Sequence, residues 1–162
     1  MHARLLVVTA LVGLGACGDD GAGATPDVLF DLDGELAGAT FWDAPFPSDV
    51  RVDADGTQAY GGFPNRSDVV IVKQLLTLAD ARAGAPMMPV AYFRFTRPTP
   101  AWRAADVIAA APTAPILLVD VDPDSPERGR LVPVVANAFA PDFFVPSYVV
   151  GVAPRPGFVL AP

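Results

Sequence analysis

Val90-Ala91-Tyr92-Phe93-Arg94-Phe95-Thr96 alternates without a break, and the fold class follows from how this stretch is read. Successive side chains of a strand point to opposite faces, so Ala91, Phe93 and Phe95 share one side and Tyr92, Arg94 and Thr96 the other. The pattern is that of a half-buried strand. Further along, Ile116-Leu117-Leu118-Val119-Asp120-Val121 is an apolar run of strand length, expected at the centre of a sheet. Residues 122–129 then turn, and residues 130–138 return as its partner strand. Pro133 places that partner near an edge or a bulge, because proline has no N–H for a ladder. Tyr148-Val149-Val150-Gly151-Val152 is the last clear strand, closed by a Pro154-Arg155-Pro156-Gly157 turn. Phe158-Val159-Leu160 opens another apolar run just before Pro162, so the chain reads as lacking its last strand. With 18 prolines and 14 glycines spread along it, the sequence breaks into short segments, as an all-β domain does.

Working back toward the N-terminus, Val28-Leu29-Phe30 suggests a strand fragment before the Asp33-Gly34 turn. Phe41, Trp42 and Phe46 are expected to be buried, with Pro45 and Pro47 holding their segment extended. Val50-Arg51-Val52-Asp53 alternates and runs into an Asp55-Gly56 turn. After Ser67-Asp68 the period changes. Val69, Val72, Leu75, Leu76 and Ala79 recur at helical spacing, with Ile71 and Leu78 at the flanks, which predicts one amphipathic helix over about 68–82. Ser67 suits the N-cap, Asp68 the positive end of the dipole, and Arg82 with Gly84 the far end. The β-branched run Val69-Val70-Ile71-Val72 argues for an extended beginning instead. A shorter helix is expected over 101–110, between Pro100 and Pro112.

Residues 1–17 have the build of an export signal. His2 and Arg4 form a short positive start, an apolar run follows from Leu5 to Gly13, and Leu14-Gly15-Ala16-Cys17 closes it. The apolar run is too short to cross a bilayer. Leu14, Gly15, Ala16 and Cys17 resemble the lipobox of bacterial lipoproteins residue for residue. The resemblance implies cleavage of a helical signal peptide (residues 1–16) and diacylation of the Cys17 sulfur. Cys17 would then be the new N-terminus, acylated once more. Two or more acyl chains anchor a protein stably, whereas one binds only marginally. Gly18, where an Asp would signal retention, implies by the same resemblance delivery to the outer membrane over the inner. Residues 17–27 are Gly-rich and acidic and read as a tether.

A second resemblance covers most of residues 41–162. Asp43-Ala44-Pro45-Phe46-Pro47-Ser48-Asp49, Tyr92-Phe93-Arg94-Phe95, Val119-Asp120-Val121-Asp122-Pro123 and Val152-Ala153-Pro154-Arg155-Pro156-Gly157-Phe158-Val159-Leu160 are similar to the N-terminal region of large bacterial lipoproteins. In those proteins an immunoglobulin-like β region precedes further domains, in some members an α/β-hydrolase lipase or esterase. This implies that residues 28–162 are mainly β, an immunoglobulin-like β-sandwich with one helix. Family members continue past Leu-x-Pro into a Thr-Thr-Tyr type strand, which Leu160-Ala161-Pro162 lacks. The family's catalytic residues have no position in this sequence. Two functions follow from the resemblance: a tethered spacer or binding module without catalysis, or the non-catalytic lead-in to a lipase or esterase lying downstream.

Composition narrows the chemistry. A net charge of −7 argues against nucleic-acid binding and against electrostatic adhesion to anionic lipid. The single cysteine rules out a disulfide framework, and the single histidine, His2, leaves with the signal. A Ser-His-Asp triad therefore has no base, and Ser48, Ser67, Ser125 and Ser147 lie outside any Gly-x-Ser-x-Gly elbow. Zinc sites of His or Cys fail likewise, and Lys73 sits in no P-loop. Asp120, Asp122 and Asp124 alternate like the start of a calcium loop, but Ser125 replaces its Gly and Leu131 its bidentate Glu. They are expected to form a solvated acidic turn, with a calcium-stabilised adhesion module as the rival reading. Asp53-Ala54-Asp55-Gly56 is read as ordinary turn chemistry. A carboxylate pair for glycoside hydrolysis stays open, since its partners need not be near in sequence. Phe143, Phe144, Val145 and Tyr148 read as core rather than as an exposed aromatic patch. No cofactor is expected. The expected partners are the bilayer, through acylated Cys17, and a downstream domain or an envelope protein.

Overall fold

A computed structural model describes residues 25–82, 88–158 and 160. The alternating stretch becomes strand β1, Ala91–Arg94, followed by β2 (Val107–Ile108), β3 (Leu118–Val119), β4 (Leu131–Val132), β5 (Val134–Ala138) and β6 (Val149–Pro154). Four of these form one sheet in the order β1-β6-β5-β2, and β3 pairs with β4 in a second, with every ladder antiparallel. The chain is mainly β among its described residues, with one α-helix, α1 (Val70–Asp80), and two short 3-10 turns.

The two faces of β1 divide as the alternation predicts. Phe93 joins Ile108, Leu118, Val132, Val134, Ala136, Val150 and Val152 in the main core, with Ala91 and Phe95 packed against it. On the reverse face Tyr92 packs against a second cluster made of Phe41, Trp42 and Phe46. The strand is thus covered on both sides, because a distant segment closes the face that alternation left polar. Phe46 is placed there by a bridge in which its N–H and carbonyl pair with those of Tyr92. The three aromatic side chains are buried as expected, although Gly38–Asp43 winds into a 3-10 turn before the chain extends at Ala44.

Several expectations are corrected. The run at 116–121 does not lie at the centre of a sheet. Only Leu118–Val119 pairs, and with a single neighbour, while Val121 is exposed. The central positions belong to β6 and β5, where Val134, Val149 and Val150 are almost completely buried. Pro133 makes no bulge, but it directly follows an edge strand, as expected, since β4 pairs with β3 alone. Leu131–Val132 pairs with β3, Val134–Ala138 pairs with β2 and β6, and Pro133 separates the two sheets. Its missing N–H interrupts the ladder at the residue where the chain changes sheets, and its carbonyl accepts from the Arg155 N–H at 2.8 Å.

No helix forms over 101–110. A turn closed by the Asp106 N–H donating to the Arg103 carbonyl leads into β2, where β-branched Val107 and Ile108 pair with β5 and Ile108 enters the core. The Val28 fragment shrinks to an isolated bridge with Phe95. Phe158 and Leu160 pack against the main core but belong to no strand among the described residues. The Asp55-Gly56 turn is present, with the Gly56 N–H on the Asp53 carbonyl at 2.9 Å and Val52 bridged to Gln58.

Helix α1 matches the predicted span to within two residues at either end. Its start differs in mechanism: Val69 is the extended N-cap, and Ser67 makes no capping bond. Asn65 does that work, its Oδ1 accepting from the Val69 N–H at 2.9 Å and its Nδ2 donating to the Val69 carbonyl at 3.1 Å. The β-branched run is therefore extended for one residue only, and helical from Val70.

Candidate functional site

The second aromatic cluster and helix α1 enclose an apolar concavity. Phe41, Trp42, Phe46, Phe63, Tyr60 and Tyr92 pack edge-on or tilted, with ring centroids 5.1 to 6.1 Å apart. Such offset arrangements are those aromatic quadrupoles favour. Leu75, Leu76 and Ala79 of α1 stand across from Trp42, Phe46, Tyr60, Phe63 and Tyr92, and a groove of about 370 Å³ runs between them. The far end of the helix is held by its Asp80 carboxylate, which accepts from the Tyr60 N–H at 3.1 Å.

Beneath the aromatic floor lies Arg51. Its Nη1 donates to the Leu36 carbonyl at 2.9 Å and its Nη2 to the carbonyl of Phe41, while the guanidinium stacks 4.2 Å from the Phe41 ring centre. No carboxylate among the described residues is ion-paired with it. Burial holds its pKa below the ordinary arginine value, since desolvation disfavours the charged form.

A second, more polar cleft of about 310 Å³ adjoins the groove, sharing Trp42 and Val145 and lined also by Arg66, Arg94, Asp142 and Ser147. Its polar groups are largely engaged. Arg94 is ion-paired with Asp43, the Asp142 carboxylate accepts from the N–H groups of Phe144 and Val145 at 2.7 and 2.8 Å, and the Trp42 indole donates to the Phe144 carbonyl at 3.1 Å. The 143–148 segment is accordingly divided, which corrects the reading of it as core. Val145 packs on the aromatic cluster, whereas Phe143 and Tyr148 are exposed.

Of the residues singled out in the sequence, Leu14, Gly15, Ala16 and Cys17 lie outside the described residues. Asp120, Asp122 and Asp124 are not brought together as a ligand set. Asp120 Oδ1 accepts from the Asp122 N–H at 3.0 Å, Asp122 Oδ1 from the Asp124 N–H at 2.9 Å, and the Ser125 hydroxyl donates to Asp120. The Asp120 and Asp122 carboxylates thus serve the turn itself, and no three metal-ligating side chains converge among the described residues. Ser48, Ser67, Ser125 and Ser147 sit in separate loops.

The groove walls present rings and aliphatic side chains whose only titratable groups are the tyrosine hydroxyls, so the physical task they suit is holding an apolar group. Sequence reasoning missed the exposed flank of α1, where Ile71 and Leu78 stand 59 and 65% exposed and Leu75, at the rim of the groove, 58%. A signal was available: the apolar arc, extended by Ile71 and Leu78 at its flanks, is wider than a helix packed on a single neighbour needs. No helix among the described residues is long and apolar enough to cross a membrane. Compared with protein-family models, curated proteins and solved structures, the chain matches none.

Proposed function

We propose that the protein is an exported lipoprotein held to a membrane through acylated Cys17, and that residues 28–162 form a non-catalytic spacer or binding module. The observation that carries this reading is Leu14-Gly15-Ala16-Cys17 at the end of an apolar run beginning close to Met1, with Arg4 before it and a Gly-rich acidic segment after it. The outer membrane is the favoured destination. The groove beside α1 suits a binding module, because its lining offers apolar contact and no acid–base pair. An immunoglobulin-like sandwich is the architecture we assign to the domain. In its favour, Leu118 and Val132 of the two-stranded sheet pack in the same core as Phe93, Val134 and Val150 of the four-stranded one.

A second reading, that this is the non-catalytic lead-in to a lipase or esterase, draws on the four motifs between Asp43 and Leu160. Sequence continuing past Pro162 into a Gly-x-Ser-x-Gly, with Asp and His after it, is what that reading requires. The test of the anchor is metabolic labelling with radioactive palmitate together with membrane fractionation. The native chain is expected to carry label and float with outer-membrane density, and Cys17→Ser to lose label and become soluble. Retention of Cys17→Ser in the membrane fraction would remove the anchor from the account.

A further inference from the structure

We infer that the exposed flank of α1 beside the groove is a membrane-contact surface: Ile71 and Leu78, with Leu75 at the groove's rim, lie in the interfacial layer of the bilayer that carries Cys17. The inference rests on the reading of Cys17 as acylated and adds to it an orientation for the domain. Residues 71, 75 and 78 are spaced by four and three, so they form one stripe along the helix, and they are 59%, 58% and 65% exposed. Lys73, Thr77 and Asp80 occupy the opposite side. An exposed apolar stripe backed by a polar face is the pattern of a helix that lies in a membrane interface. At 11 residues α1 is about 16 Å long, enough to rest along such a plane but far too short to span it.

The covalent reach of the chain selects the occupant. Eight residue steps separate Cys17 from Thr25, the first described residue, so even fully extended the link spans at most about 29 Å. A domain of this size has a radius of gyration of about 14 Å, so the tether is no longer than the domain is wide. The bilayer is therefore always within the domain's own diameter, and contact with it is an intramolecular event at high effective concentration. A second copy of the chain has no such advantage. Charge points to the same kind of contact. The net charge is −7, and Lys73 on the helix is paired with Asp68 at 2.6 Å, so attraction to anionic headgroups is not the source of binding. Apolar insertion is, and neutral lipid should suffice.

The test uses the full acylated chain in phosphatidylcholine vesicles. Acylation blocks the Cys17 thiol, so Leu78→Cys and Lys73→Cys each provide a single site for an environment-sensitive fluorophore. With nitroxide-labelled lipid, the probe at residue 78 is expected to be blue-shifted and quenched, and the probe at residue 73 to be neither. Equal, weak quenching at the two positions overturns the inference. So does a blue shift at residue 78 that grows with protein concentration and ignores the nitroxide, which reports a second copy. Fluorophore attached at Cys17 itself reports failure of the acylation reading, a result separate from an acylated chain whose helix stays in water.

Discussion

Arg51 stacks its guanidinium on the ring of Phe41 and at the same time donates to the Phe41 carbonyl oxygen, so one side chain grips the other residue from two directions. The neighbours Val50 and Val52 are exposed while Arg51 is 7% exposed, which inverts the burial that Val-Arg-Val alternation suggests. The reason is the backbone around it. The carbonyls of Leu36 and Phe41 face inward beside a 3-10 turn, and a planar fork of N–H donors can serve both while covering an aromatic face.

Arg51→Met and Arg51→Lys are both expected to destabilise the fold, by about 2–3 kcal/mol, because each leaves at least one buried carbonyl without its donor. Lysine keeps the charge and loses the fork; methionine keeps most of the volume and loses both bonds. Urea unfolding with an unchanged m-value and a lowered midpoint is the expected record. Midpoints equal to the native one for both variants would show that the carbonyls are served by other donors.

Two glycines should respond differently to the same added methyl group. At Gly62 a Cβ would stand 2.8 Å from the Leu36 carbonyl oxygen and 3.1 Å from Ala37 Cα, which are backbone atoms of the segment that Arg51 holds. At Gly151 the nearest atom is 2.8 Å away but belongs to the ring of Phe139, a side chain 38% exposed that can swing aside. Gly62→Ala is therefore expected to cost about 2–3 kcal/mol and Gly151→Ala about 1 kcal/mol. Phe139→Ala should relieve the cost at Gly151 and leave that at Gly62 unchanged, a difference that a double-mutant cycle reads directly.

The Asp55 carboxyl lies below its ordinary pKa, chiefly because the Thr57 hydroxyl donates to it at 2.7 Å and secondly because the Thr57 N–H does so at 3.0 Å. The folded pKa is the lower one, so this contribution to stability is present above the unfolded carboxyl pKa and is lost as pH falls through the folded value. Thr57→Val removes the larger of the two bonds. The Asp55 titration, followed by carbon NMR of the carboxyl, should move up toward the ordinary aspartate range while the backbone bond keeps it from arriving there fully. An unmoved titration would assign the shift to the backbone alone.

What the chain discloses without its fold is whatever depends on neighbours in sequence. The alternation of 90–96 sets which side chains share a face of β1, the apolar period after Asp68 sets the length of α1, and Asp55-Gly56 sets a turn, because backbone geometry alone maps spacing onto direction. The candidate anchor at Cys17 is likewise legible as a linear motif. Which of those faces is then covered depends on segments far away in the chain, and only the tertiary structure decided it. Trp42 and Phe46 come from some 46 to 50 positions earlier to close the open side of β1, Pro133 divides one apparent strand between two sheets, and Arg51 rather than its valines goes inside. Periodicity reports that two faces differ. It is silent on whether solvent, a lipid layer or a distant aromatic ring lies against each, since that is a question of long-range packing, and at α1 the packing stops short of Ile71 and Leu78.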